Sequence, residues 1–341
     1  MEGAAGESGG GPEAAGDPAR VKPVSVWPAI VVPLAAYFGS LLLVWQGVSW
    51  LFTLLWTGGI APPDFEDPRH AAWAQLYGVS IFLLTVAALV GWLALRREPV
   101  LPRLLVRRAS LRKRWWPVLA LGAMAVSTLT GWAVDTLFGG SPQVEAMSRR
   151  AGAWGTAAGG GWPAAALGLL SAVVIGPAWE ELAFRGFSLG RLLRRWRGTR
   201  GAWAAILASS VIFALPHGEP QHVAAAFCAG LYLGAVAWRT GSVLPAFVCH
   251  AAVNATWAAM SMGYGWLLRE AGGEVGGGAG GEAGLEAIEP AYAWAAWGLY
   301  LALLGAELLG LIGAAVLLVR TRPPPEADAR WFGGAPSAAS A

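Results

Sequence analysis

The chain has 341 residues, of which 56% are hydrophobic and 13% are charged, and its formal net charge is +3. A soluble domain of this length needs more charge to cover its surface, so the composition predicts a polytopic membrane protein and excludes a soluble globular enzyme. Basic residues cluster in a few short connectors, which is a topology signal and argues against a nucleic-acid partner.

Eight apolar stretches are long enough to be membrane-spanning helices. A bilayer core about 30 Å thick needs about 20 apolar residues in a helix. The predicted spans are 24–56, 71–95, 116–138, 163–190, 201–216, 222–238, 243–268 and 291–319. The predicted fold class is therefore all-α, a polytopic membrane helical bundle of about eight transmembrane helices.

The composition also predicts how the chain is divided. Residues 1–23 are rich in Gly, Ala and Glu, and residues 323–341 begin with three prolines, so both are expected to be disordered cytoplasmic tails. Between the tails we predict N-terminal helices over 24–160, a core over 161–268, a Gly/Glu-rich extracytoplasmic loop over 269–290 and the last helix over 291–322.

The basic segment 96–115 connects the second and third predicted spans. Its stretch "RLLVRRASLRKRWW", residues 103 to 116, mixes basic and apolar residues. This pattern predicts a segment that lies along the inner leaflet, where anchoring is favoured over substrate binding.

The distribution of charge predicts the orientation in the membrane. With the N-terminus in the cytoplasm, 19 of the 24 basic residues fall on the inner side, and five glutamates fall in the outer loop 269–290. The positive-inside rule therefore predicts that both termini are cytoplasmic. The Gly/Ala/Arg-rich composition is typical of a high-GC bacterium, so we expect the inner (plasma) membrane.

Charges within a span are expensive, and are usually functional or paired. The fourth predicted span contains "GPAWEELAFRGF", residues 176 to 187. Glu181 and Arg185 are four residues apart and share a helix face, so an ion pair is expected. Glu180 points about 100° away from Glu181, and is freer to hold a water molecule or a proton.

Two other predicted spans carry polar residues at helical spacing. Phe213 and His217 are four apart in the fifth span, so the aromatic ring can form a wall beside the imidazole. His250 and Asn254 are four apart in the seventh, and both can donate hydrogen bonds toward one point, as an oxyanion requires. The three helices can therefore contribute to one pocket.

These motifs resemble those of the CPBP family, the intramembrane proteases that include the CAAX prenyl endopeptidases and bacterial relatives with an Abi-type domain. The resemblance covers roughly residues 164 to 260. The three family motifs correspond in order to Glu180, Glu181 and Arg185, to Phe213 and His217, and to His250 and Asn254. The resemblance implies an intramembrane endopeptidase that hydrolyses a peptide bond of a membrane-associated peptide or protein.

The resemblance also implies roles for the residues. Glu180 and His217 would activate a water molecule, and Glu180 would later give the proton to the leaving amine. His250 and Asn254 would stabilise the tetrahedral oxyanion. Glu181 is expected to have a supporting role.

Arg185 and Phe213 are likewise expected to support the site. The family's metalloprotease label keeps zinc open, with Glu180, His217 and His250 as its ligands. The sequence has no H-E-x-x-H and requires no cofactor, so metal-independent water activation is favoured over zinc.

Two further functions remain open. The chain could keep the family fold as a non-proteolytic scaffold or immunity protein, with the polar residues only holding the bundle together. It could also carry protons or ions on its buried carboxylates. For a protease, the expected partners are the lipid bilayer and a substrate that enters from the cytoplasmic side, either a prenylated CAAX protein or a bacteriocin-like peptide or regulator.

The predicted spans set a condition on the site. Glu180 and His250 lie about 12 to 16 Å from the cytoplasmic ends of their predicted helices, whereas His217 lies about 24 Å along the fifth. Convergence therefore requires the fifth helix to be tilted or to begin outside the membrane core. His222 is expected in a solvated connector, and Trp179 is a candidate wall that keeps water from Glu180.

Overall fold

The computed structural model describes residues 25–52, 54, 71–138, 162–218, 220–270 and 290–321. Within these ranges the secondary structure is helical and includes no strand. Eight of the helices are long and apolar enough to cross a membrane. The predicted all-α polytopic bundle is therefore confirmed.

The eight long helices are numbered α1 to α8 in chain order. Their bounds are α1 Trp27–Phe52, α2 Ala71–Leu95, α3 Trp116–Phe138, α4 162–195, α5 Gly198–Ala214, α6 Pro220–Thr240, α7 Val243–Glu270 and α8 Pro290–Arg320. A short helix, Val100–Arg103, lies between α2 and α3. The predicted tails and most of the predicted loop 269–290 lie outside the described residues.

The boundary between α4 and α5 differs from the prediction. Helix α4 continues to Arg195, beyond the predicted end at residue 190, and α5 begins at Gly198, before the predicted start at 201. Arginine is a good helix former, and its long side chain can carry the charge away from apolar surroundings. The basic residues therefore lengthen the helices, although the sequence analysis placed them in a connector.

Helix α4 alternates between α-helical and wider π-helical turns. The stretches Ser171–Ile175 and Glu181–Leu189 are π-helical, and Gly176–Glu180 between them is α-helical. Pro177 has no N–H to donate to the preceding turn, which accounts for an irregular ladder there. π-Helical turns are frequent at functional sites, and here they flank Glu180.

The core of the bundle surrounds the second half of α4. Its buried residues include Trp179, Phe184 and Phe187, and Arg185 is the largest fully buried side chain. Helix α4 contacts α1, α2, α5 and α7, while α3 packs against α6, α7 and α8. A charged side chain at the centre of the core must be compensated by partners, which the site provides.

The segment between α2 and α3, residues 96–115, packs across one end of the bundle and is called the floor. Leu104 and Leu105 are buried, and Val243 donates its backbone N–H to the Leu105 carbonyl at 3.2 Å. Ser242 donates its hydroxyl to the Arg107 carbonyl at 2.6 Å. Leu104 and Leu105 therefore insert into the bundle, a contact that the sequence analysis did not predict for this segment.

A glycine makes this insertion possible. A Cβ atom at Gly186 would lie 2.5 Å from the Leu104 carbonyl oxygen, much closer than real Cβ atoms approach. The turn at Leu104 therefore reaches α4 only because residue 186 has no side chain.

Candidate active site

The floor places α4 and α7 in register. Leu104 contacts α4 at Gly186, and Leu105 contacts α7 at Val243. Glu180 is six residues from Gly186, about 9 Å along the helix, and His250 is seven residues from Val243, about 10 Å. The two side chains consequently lie at about the same height above the floor.

A second contact places α5 in register with α4. Ser209 donates its hydroxyl to the Phe184 carbonyl at 2.8 Å. Phe213 is four residues beyond Ser209, and Glu180 is four residues before Phe184, so both are about 6 Å above this contact. The contact thus brings Phe213 to the height of Glu180, and His217, four residues further along, lies about 6 Å above both.

Glu181 and Arg185 form the expected ion pair. The Glu181 Oε1 to Arg185 Nη1 distance is 2.9 Å, and each side chain is 1% exposed. Arg185 also lies over the Phe213 ring, with its Cζ atom 4.0 Å from the ring centroid. A carboxylate and an aromatic face therefore stabilise the buried guanidinium together.

Phe213 lies at the centre of the cluster. Its ring centroid is 5.0 Å from that of His217 and 6.0 Å from that of His250, both in edge-to-face geometry. Arg185 occupies one ring face. Phe213 thus contacts one residue of each of the three motifs. These are Arg185, His217 and His250.

His250 lies between the two glutamates. Its Nδ1 is 2.9 Å from Glu181 Oε1, and its Nε2 is 3.7 Å from Glu180 Oε2. An ionised carboxylate can only accept hydrogen bonds, so Nδ1 carries the proton. Glu181 therefore orients the ring, and Nε2 is the nitrogen available for chemistry beside Glu180.

His217 has the same arrangement of ring nitrogens. Its Nδ1 lies 3.1 Å from the Phe213 carbonyl oxygen, which can only accept, so Nδ1 donates. The residue is in the 3₁₀ turn Leu215–His217 that follows α5. Its Nε2 is left for a substrate or a water molecule.

Asn254 connects α7 to the first π-helical stretch of α4. Its Nδ2 donates to the Ala172 carbonyl at 2.9 Å. A side-chain amide has two N–H groups, so one hydrogen bond leaves the second donor available. The contact fixes Asn254 one turn from His250 on the same face of α7.

A cavity of about 170 Å³ adjoins this cluster. It lies between α3, α6 and α7 at the end of α5, and its wall is largely apolar. Polar groups come from His217, His222, His250 and Asn254, and Trp257 closes one side by donating its indole N–H to Ser127. Among the described residues the wall does not include Glu180, which meets the cluster through His250.

The structure also shows what the sequence analysis missed. His222, expected in a solvated connector, lies in the cavity wall because α6 begins at Pro220. Trp179 is buried away from the cavity, stacked on Tyr37 at a centroid distance of 5.2 Å and on Phe82 at 5.7 Å. Trp179 packs against α1 and α2 and not against the cavity. The sequence alone does not show where these two helices lie.

The metal alternative can be compared with the side chains present. Among the described residues, no three His, Cys, Asp or Glu side chains come close enough together to hold a metal ion. Glu180, His217 and His250 therefore do not converge on one point in the way a tetrahedral zinc site requires. We derive no chemical step through a metal.

The fold and the cluster define a class, a polytopic helical membrane protein with an acid–histidine cluster buried beside a cavity. Within this chain, residues 162–256 match the family model described as Rce1-like, type II CAAX prenyl endopeptidase. The match includes all three motifs and confirms the resemblance to the CAAX proteases, which supports a protease at the level of the family. No curated protein and no solved structure matches the chain.

Proposed function

We propose that the chain is an intramembrane endopeptidase that hydrolyses a peptide bond of a membrane-associated peptide or protein. The observation that carries the proposal is the pair formed by Glu180 and His250. The distance of 3.7 Å between Glu180 Oε2 and His250 Nε2 is too long for a hydrogen bond between them but allows one water molecule to contact both.

Glu180 is the proposed general base. Its side chain is 21% exposed, in contrast to that of Glu181, and Glu180 has no arginine as its ion-pair partner among the described residues. It removes a proton from water as the water oxygen attacks the scissile carbonyl, and then gives that proton to the leaving amine. His217 presents Nε2 to the cavity, where it is proposed to hold the substrate or a second water molecule. Proton transfer of this kind contributes about 10² to 10⁴ in rate.

His250 and Asn254 are the proposed donors to the oxyanion. In its protonated form His250 keeps its Nδ1 hydrogen bond to Glu181 and donates from Nε2. Asn254 donates its second amide N–H, because the first is used by Ala172. Each donor is expected to contribute about 3 to 4 kcal/mol to the transition state.

The cavity limits how the substrate binds. A volume of about 170 Å³ equals that of about five or six water molecules. It has room for the reacting peptide group beside His250 and Asn254, so the flanking substrate residues must lie outside it. The lining of small and apolar residues, including Ala225, Ala229 and Val253, suits an extended apolar segment.

The proposal is tested with the full chain purified in detergent. The probe is an internally quenched peptide ending in a CAAX sequence, assayed with and without a farnesyl group and with and without a zinc chelator. Glu180→Gln, His217→Ala and His250→Ala are each expected to lower kcat/KM by about 100-fold or more, because each removes a proton-transfer or oxyanion group. The chelator is expected to have no effect.

Glu307→Gln is the matched control. Glu307 is another buried carboxylate in a span, but it bonds Thr128 and lies outside the cavity wall among the described residues. The Glu307→Gln variant should keep the wild-type rate.

If neither peptide is cleaved, peptide termini in membranes carrying the wild type or Glu180→Gln are compared by mass spectrometry. Identical termini would contradict the proposal and favour a scaffold.

A further inference from the structure

A second charged cluster lies at the floor end of α4. Glu98, in the turn after α2, accepts from Arg191 at 3.1 Å through Oε1 and pairs with Arg103 at 3.0 Å through Oε2. Arg194 is within electrostatic reach of these three residues. Two guanidinium groups therefore pair with one carboxylate and the third lies near it, which leaves a formal charge of about +2 in the cluster.

The cluster is mostly buried, but parts of its side chains are exposed to a ligand. Arg194 is 8% exposed, and the side chains of Arg191 and Arg103 are 13% and 26% exposed. Two nitrogens of Arg191, Nε and Nη1, are buried without a hydrogen-bond partner. Buried cations without compensation are costly, so the cluster calls for an anion with several acceptor oxygens.

The surrounding residues hold the guanidinium groups in place. The Arg191 guanidinium lies over the Phe187 ring, with its Cζ atom 5.4 Å from the centroid. A nitrogen of Arg194 and the Arg103 carbonyl oxygen both lie beside Gly190. Pre-placed guanidinium groups recognise tetrahedral oxyanions well because their N–H groups match phosphate oxygens in pairs.

We propose that Arg103, Arg191 and Arg194 form a binding site for a phosphate group. The source is either the headgroup of an anionic phospholipid in the leaflet at that end of the bundle, or free phosphate. Basic pockets between transmembrane helices bind such headgroups. The positive charge of the cluster favours an anion, either a phosphodiester headgroup with about one negative charge or inorganic phosphate with about one to two.

This site is separate from the candidate active site. Arg191 is 11 residues from Glu180, about 16 Å along α4, so a group bound at the cluster does not touch the reacting atoms. The inference therefore does not rest on the proposed protease activity, and binding can be measured without any substrate.

The experiment measures thermal unfolding of the full chain in detergent during three titrations. These use phosphatidylglycerol, phosphatidylcholine, and inorganic phosphate against sodium chloride at matched ionic strength. A ligand that binds the folded state raises the midpoint with concentration, and the curve gives an apparent Kd. A rise with phosphatidylglycerol alone identifies a lipid headgroup, and a rise with inorganic phosphate identifies free phosphate. No rise with either overturns the proposal.

Variants test whether the cluster is the site. Arg191→Gln and Arg194→Gln should each weaken binding roughly tenfold or more, since each removes a charge-assisted hydrogen bond. Arg195→Gln removes the same charge from the exposed neighbouring position, and should change the apparent Kd by about twofold or less. An equal loss in Arg195→Gln would mean general surface attraction and would overturn the site.

Glu98→Gln separates anion binding from a purely internal ion-pair network, and it does not depend on how well the arginine variants fold. Removing the shared carboxylate raises the positive charge of the cluster and frees two guanidinium groups. Binding should therefore tighten several-fold at low ionic strength. Weaker binding in Glu98→Gln would show that the arginines only form ion pairs with Glu98 and do not bind an anion.

Discussion

Two adjacent glutamates have different environments, although the sequence gives them the same chemistry. Glu181 Oε1 lies 2.9 Å from both Arg185 and His250, whereas Glu180 approaches only the far nitrogen of His250. The spacing of four residues predicts the pair with Arg185, because helical periodicity encodes contacts within one helix. It could not predict that the same oxygen binds His250, 69 residues away, since that contact depends on the register between α4 and α7.

The different environments predict different effects on stability. Glu181→Gln leaves the Arg185 guanidinium buried without a counter-charge, and should lower the free energy of unfolding by about 3 to 5 kcal/mol. Glu180→Gln changes a partly exposed carboxylate, and should alter it by about 1 kcal/mol or less. Denaturant unfolding in mixed micelles, followed by tryptophan fluorescence, compares the two variants.

The double variant Glu181→Gln/Arg185→Gln is the control for this explanation. It removes the uncompensated cation, so it should recover part of the stability lost in Glu181→Gln. If the double variant is less stable than Glu181→Gln by as much as Arg185→Gln alone destabilises the wild type, the ion pair is not the reason for the loss.

Among the helices and connectors, the spans followed the apolar runs closely, because a bilayer admits few alternatives to a long helix. The ends of the helices differ from the ends of the apolar runs, because arginines continue α4 to Arg195. The floor was also missed, because a basic and apolar connector has the same pattern on a membrane surface as it has packed into a bundle. What decides between them is the space at Gly186, which a composition does not reveal.

Gly186→Ala tests the importance of the floor. The added methyl group would lie 2.5 Å from the Leu104 backbone carbonyl, so the floor must move away from α4. We expect a loss of about 1 to 3 kcal/mol in the free energy of unfolding, from overpacking against backbone. Catalytic activity should fall as well, because the floor sets the relative heights of Glu180 and His250.

Gly39→Ala is the matched control in α1. A Cβ atom at Gly39 meets nothing within 4 Å, and alanine favours a helix over glycine by up to about 1 kcal/mol. This variant should be as stable as the wild type or more stable. A similar loss in both variants would show that the glycine exchange itself, and not contact with the floor, is responsible.

Across the whole molecule, the cavity runs along the bundle toward the floor. Its wall includes His217, which ends the fifth span, and His222, which begins the sixth, and it also includes His250, about 10 Å above the floor. The floor, Arg103 and Arg191 lie at the basic end, which the sequence analysis places in the cytoplasm. Loop charge carries information about orientation, but where the site lies along the bundle depends on the packed helices.

We expect the positive-inside prediction to hold, because it rests on 19 of 24 basic residues, so the end of the cavity at His222 should lie on the extracytoplasmic side. Single cysteines are introduced at Gln221 and Ser110 in a background in which Cys228 and Cys249 are alanine. A membrane-impermeant maleimide should label Gln221→Cys in intact cells and Ser110→Cys only after lysis. The background without cysteine gives the blank. Labelling in the reverse order would place the His222 end of the cavity on the cytoplasmic side and would contradict the predicted orientation.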